Sequence, residues 1–202
     1  MLKENLSPKH ILVDLLSIQC QLPDFFKSDE QYKPIIDFLN SKDYYNDPDI
    51  PYPTLKEAEK ETGLSATKLR KYTIEMYNRI FDFESNDCLK FPKAEYSFYM
   101  KHYDLHAQFT LKHLNNIPRV GEELSLPFVK EKMNTSHFYV DNVYHDFDND
   151  VQRVSIWLKG GSYNSWWKLR KDEALQKREI SPLDQYNMHE YQIKEQLGLP
   201  PY

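Results

Sequence analysis

The apolar residues of this chain change their spacing near Asn86, and that change constrains the fold more than any other feature. Before it they recur at three- and four-residue steps, the repeat that lays one apolar stripe along a helix. After it they alternate with polar residues, which in an extended strand turns one face to a core and the other to water. Helices followed by strands predict an α+β architecture.

The helical part is punctuated by caps and breakers. Ser7-Pro8 reads as an N-cap and a first-turn proline, and Ile11, Leu12, Leu15, Leu16 and Ile18 predict a helix over residues 8–20, ended by Pro23. Ser28 or Asp29 is placed to cap a second helix carrying Tyr32, Ile35, Ile36 and Leu39, with Pro34 in an early turn. Residues 41–53, rich in Pro and Asp, read as a loop. Thr54 with Glu57 three residues on has the spacing of a capping box, Gly63 marks a reversal with positive φ, and Ser65 caps the helix that follows. Leu69, Tyr72, Met76, Ile80 and Phe83 give that helix an apolar face.

Beyond the switch, Tyr96, Phe98 and Met100 alternate, as do Leu105, Ala107, Phe109 and Leu111. A turn at residues 118–121 precedes Leu124, Leu126 and Phe128. Residues 137–147 and 151–159 form a hairpin around Asp148-Asn149-Asp150, closed by Gly160-Gly161. About five strands predict a small antiparallel sheet or open barrel. Residues 169–179 favour helix again. Ser181-Pro182 then opens a C-terminal helix with a stripe of Leu183, Tyr186, Ile193 and Leu197, closed by Gly198. The expected divisions are 1–90, helical with a helix-turn-helix, 91–168, antiparallel β, and 169–202, helical.

The 15 Tyr support a β component, because aromatic side chains pack well on a pleated surface. A net charge of −5 leaves no general attraction for phosphate, so any nucleic-acid contact must come from a local basic patch. Two cysteines, Cys20 and Cys88, stand far apart without a CxxC pattern, which points to a reducing compartment rather than a disulfide framework. The first residues carry neither a secretory cleavage pattern nor an apolar run long enough to span a bilayer, so a cytoplasmic location is expected.

Residues 54–83 resemble the helix-turn-helix DNA-binding superfamily. Ala58, Gly63 at the turn, Leu64 after it, Ser65 at the start of the second helix, and Leu69 and Tyr72 on its inner face carry the resemblance. Four residues before the turn glycine the superfamily usually has Ala. Here that position is Glu59, which must reach outward or widen the crossing of the helices. The resemblance implies a second helix in the major groove, with Thr67, Lys68 and Lys71 at bases or phosphates and Ser65 and Arg70 beside them. If the hairpin 94–112 acts as a wing, Lys93, Lys101 and Lys112 approach the phosphates as well.

Residues 162–171 are a secondary nucleic-acid candidate, because Trp166 and Trp167 stand among Lys168, Arg170 and Lys171. His102, His106 and His113 imitate a metal set, but i and i+4 stand far apart along a strand. Asp146, Asp148 and Asp150 open like a calcium loop, yet Val151 and Trp157 occupy the places of its glycine and its glutamate. No P-loop, GxGxxG or GxSxG is present, so no catalytic residue, metal or cofactor is expected. The expectation is a non-enzymatic protein binding double-stranded DNA, a regulator or mobile-element accessory factor. The alternative is a protein-interaction or assembly module, joining a protein partner or a homo-oligomer through a Tyr-rich β surface.

Overall fold

Pro8 opens the first helix, α1 (Pro8–Leu16), behind an extended Ser7 whose side chain makes no cap bond. The structure, a computed structural model, describes residues 6–82, 84 and 87–200, with Tyr186 described by its backbone alone. Phe83 and the side chain of Tyr186, both assigned above to apolar stripes, therefore lie outside the described residues. The chain folds as two compact units. One runs to Ala94 and takes in Asp146–Arg153; the other comprises Glu95–His145 and the chain from Val154 onward.

In the first unit α1 stops at Leu16 instead of continuing to residue 20. The Ser17 hydroxyl bonds back to the Asp14 carbonyl at 2.7 Å, satisfying a terminal acceptor. A 3-10 turn, Gln19–Gln21, leads into α2 (Leu22–Phe25), so Pro23 begins a helix where it was expected to end one. A proline is tolerated there because first-turn N–H groups have no intrahelical partner. After a second 3-10 turn, Glu30–Tyr32, comes α3 (Lys33–Leu39). Neither Ser28 nor Asp29 caps it: Asp29 accepts from Arg79 Nη1 at 2.6 Å instead. Leu12, Leu15, Leu16, Ile35 and Leu39 form a hydrophobic core with Ala58, Leu69 and Met76 from the two helices that follow, α4 (Leu55–Thr62) and α5 (Ala66–Ile80).

The acidic triplet is a hydrogen-bonded turn within this unit. Asn149 takes a positive φ of 54°, and its N–H donates to the Ser17 carbonyl at 2.6 Å. Asp148 is buried and accepts from Arg153 Nη1 at 2.5 Å and Asn149 Nδ2 at 2.7 Å. Asp150 pairs with Lys93 at 2.6 Å.

The second unit is built on one sheet: β1 (Lys93–His102), β2 (Leu105–Leu111), β3 (Glu123–Ser125), β4 (His137–Asp148) and β5 (Val151–Gly160), in the order β2-β1-β5-β4-β3. It is open and mixed, neither antiparallel throughout nor a barrel. β1–β2 and β3–β4 are antiparallel, whereas β1 and β5 run the same way. Lys93 donates to the Asp150 carbonyl where both strands begin, and His102 lies against Gly160 where both end. The reason lies in the connections. The chain crosses from edge strand β2 to the opposite edge at β3, and the β4–β5 hairpin then folds back to the centre. Since β1 is bonded on both sides, hairpin 94–112 is part of this sheet rather than a free two-stranded wing.

Phe98, Met100, Phe138, Val140, Val154, Ile156 and Leu158 face one side and are buried there. A 3-10 turn, Pro127–Val129, and α6 (Lys130–Met133) add Val129 and Met133 to that core. The alternation expected to run to Phe128 ends at Ser125, and Phe128 is exposed, its ring edge-on to Phe109 at 5.3 Å. The C-terminal part forms α7 (Ser165–Gln176), α8 (Pro182–Asn187) and α9 (Glu190–Gln196). Ser181 caps α8 in a complete capping box with Asp184, and Gly198 follows α9 with φ 68°. The expected single stripe is divided between two helices: Ile193 is buried while Leu183 is exposed. Among the described residues no helix is long and apolar enough to cross a membrane.

Candidate nucleic-acid interface

α4 and α5 stand where the sequence places two helices, with the turn between them at Gly63. Thr54 accepts from the Glu57 N–H at 3.2 Å, half of the expected box. The Glu57 carboxylate does not return the bond; it meets Lys42 at 3.6 Å and the Tyr44 hydroxyl at 3.4 Å. Gly63 has φ 67°, the left-handed conformation in which a side chain is strained, and its N–H reaches the Glu59 carbonyl at 3.1 Å. Ala58 is fully buried, and Glu59 is half-buried one position away. The small side chain that close packing needs is therefore supplied by Ala58, and Glu59 does not occupy the tightest place.

α5 is fixed on one side and open on the other. Leu69, Thr73 and Met76 are buried, and the Thr73 hydroxyl is satisfied within the helix by the Leu69 carbonyl at 2.8 Å. Tyr72 is half-buried, edge-on to Tyr32 at 5.7 Å. At its far end Arg79 bridges Asp29 at 2.6 Å and Asp87 at 2.8 Å, which anchors the helix. Ser65, Thr67, Lys68, Arg70 and Lys71 are all exposed. Helical geometry puts Thr67 and Lys71 opposite Leu69 and Met76, with Lys68 and Arg70 flanking them.

Two details favour an anion at this end. Ser65 stands at the N-cap position but its side chain makes no cap bond, so it does not occupy the first amides of α5. Among the described residues no carboxylate pairs with Lys68 or Arg70, and Lys71 meets only the half-buried Glu75, at 3.7 Å. The positive charge of this turn therefore faces water.

Residues 162–171 form a different arrangement. Trp167 is buried and its indole N–H donates to Glu190 Oε2. Lys171, whose side chain is 7% exposed, holds both oxygens of that carboxylate at 2.7 and 2.9 Å. Lys168 donates to the Asp141 carbonyl at 3.0 Å, and Arg170 pairs with Glu179 at 2.6 Å. These cations are neutralised inside the unit, and of the two tryptophans Trp166 alone is exposed. Burial alone would raise the Glu190 carboxyl. The Lys171 ammonium beside it, the bond Lys171 donates, Lys159 and the Trp167 N–H together hold it below the usual carboxylate range.

The histidines do not converge. His106 lies opposite Lys101, His102 bonds the Met133 carbonyl, and His113 bonds Asn115 Oδ1 at 3.0 Å. Among the described residues no three His, Cys, Asp or Glu side chains are grouped to hold a metal ion. Cys20 and Cys88 are free and exposed.

One feature of the second unit was not legible in the sequence: a cavity of about 1070 Å³ lined by Lys101, His102, Tyr139, Lys159 and residues of α8 and α9. Its lining comes from three strands and two helices, so no local spacing announces it. The His102 ring packs so closely on Gly160 that an added Cβ would lie 2.6 Å from its Cδ2. Gly160→Ala is accordingly expected to displace that ring at a cost of about 1–2 kcal/mol. Urea denaturation checks this; unchanged stability would contradict the contact.

Neither a protein-family model nor a curated protein nor a solved structure matches this chain.

Proposed function

We propose that the protein binds double-stranded DNA non-enzymatically through α5, as a regulator or mobile-element accessory factor. The observation that carries this reading is the exposed, largely unpaired cationic turn of Lys68, Arg70 and Lys71. It stands at an N-terminus not occupied by its own cap, on a helix fixed by a buried opposite face. In that pose Thr67, Lys68 and Lys71 reach base edges or phosphates, and Ser65 and Arg70 reach the backbone. The net charge of −5 makes the contact local and easily screened. An electrophoretic shift of duplex DNA at low salt, reversed by added salt, is expected; absence of any shift at low salt would overturn the proposal.

A second reading, protein interaction through the sheet, is favoured by one observation. Trp157 is 46% exposed and stacks on Tyr99 at 4.5 Å, which places an aromatic anchor on the sheet's solvent side. A stable oligomer at high salt, without DNA binding, would select it.

A further inference from the structure

The cavity of the second unit takes no part in the DNA-binding proposal and lies wholly within that unit, between the ends of β1 and β5 and helices α8 and α9. Its volume, about 1070 Å³, is at the upper end of what small-molecule sites occupy. We infer that it binds a small molecule combining a flat ring with one anionic group, a carboxylate or a phosphate.

Lys159, Lys168 and Lys171 share the two carboxylates of Asp141 and Glu190, which leaves this network one positive charge in excess. Lys101 on the same wall has no carboxylate partner among the described residues. Glu195, exposed on the rim, opposes an anion, but water screens it. An anionic group is therefore best placed at Lys101 and Lys159.

The ring follows from the remaining lining. Tyr103 and Tyr191 are 67% and 47% exposed at the rim, and Tyr191 already stacks with His189 at 5.5 Å and 11°. Large aromatic faces held open to a cavity suit a second flat ring. Two polar atoms are positioned to orient it. Burial, with Asp141 and Glu190 near, pushes the Tyr139 phenol far above its ordinary range, so its hydroxyl is a permanent donor. That hydroxyl has no hydrogen-bond partner among the described residues. His102 Nδ1 lies 2.8 Å from the Met133 carbonyl, which can only accept, so Nδ1 carries the hydrogen and Nε2 of the neutral ring is an acceptor. A ligand with both an acceptor and a donor on its ring matches the pair.

Calorimetric titration of the full chain with adenosine 5′-monophosphate, 4-hydroxybenzoate, adenosine and inorganic phosphate tests the assignment. At least one of the two ring-bearing anions should bind saturably, below about 1 mM and at least about tenfold tighter than adenosine or phosphate. Which of the two binds separates a phosphate from a carboxylate source. Lys101→Gln, at an exposed position, and Tyr139→Phe, which keeps the ring, should each weaken that binding about tenfold. Three results would overturn the inference: no saturable binding of either anion up to about 10 mM, equal binding of phosphate alone, or affinity unchanged in both variants.

Discussion

Reversing the charges of Lys68, Arg70 and Lys71 together to Glu should lower affinity for duplex DNA about a hundredfold or more at ~50 mM salt. Each residue would otherwise neutralise a phosphate or donate to a base edge, and each reversal adds repulsion where attraction stood. The fold should survive. All three positions are exposed, and the one ion pair lost, Lys71 with Glu75 at 3.7 Å, is a surface i,i+4 contact worth a few tenths of a kcal/mol. Fluorescence anisotropy with a labelled duplex, beside a circular-dichroism melt, separates binding from folding. A triple variant that melts like the parent and binds as tightly would remove α5 from the interface. Thr67→Ala, by contrast, touches no phosphate charge and should alter sequence preference more than affinity.

The largest effect on stability is expected at Glu190. Lys171 is 7% exposed, so replacing its partner leaves an ammonium inside the fold with one weak acceptor. Glu190→Gln should cost about 2 kcal/mol, less than a fully buried pair because the Glu190 side chain is 44% exposed. The double variant with Lys171→Met should regain part of that loss, since no buried ammonium then remains. The pH dependence has a defined sign. The folded-state pKa of Glu190 is lowered, so its contribution is complete above the ordinary glutamate range and is lost as pH falls through the lowered value. Urea denaturation between neutral pH and about pH 3 should therefore show a shallower acid loss in Glu190→Gln than in the parent. Parallel curves at equal stability would show that the network contributes nothing.

The features readable from sequence were those set by neighbours in the chain. Gly63 announced the turn because left-handed backbone strains other residues, and Ser181-Pro182 announced α8 because a cap and a first-turn proline act within one turn. Pro23 misled because a proline is compatible with both the end of one helix and the start of the next; what decided was the Ser17 hydroxyl closing α1 early. The sheet was legible strand by strand but not in its order. The parallel pairing of β1 with β5 depends on where a long connection lands, and alternation is the same in parallel and antiparallel neighbours. The basic turn of α5 was legible because Lys68, Arg70 and Lys71 lie within one helical turn of sequence. In residues 162–171 the same residue types became internal ion pairs, since their carboxylates, Asp141, Glu179 and Glu190, come from other elements. The cavity had no local signal at all: Lys101, Tyr139 and Lys159 belong to three strands, and only the fold brings them together.

The salt dependence of duplex binding shows whether α5 neutralises phosphates. With Lys68, Arg70 and Lys71 on phosphates, a plot of log affinity against log salt concentration should fall with a slope of roughly −3 or steeper for the parent protein. In the triple charge reversal the residual slope should be near zero. A parent protein that binds no duplex at low salt, or binds with a slope that these substitutions leave unchanged, would rule out DNA contact through α5.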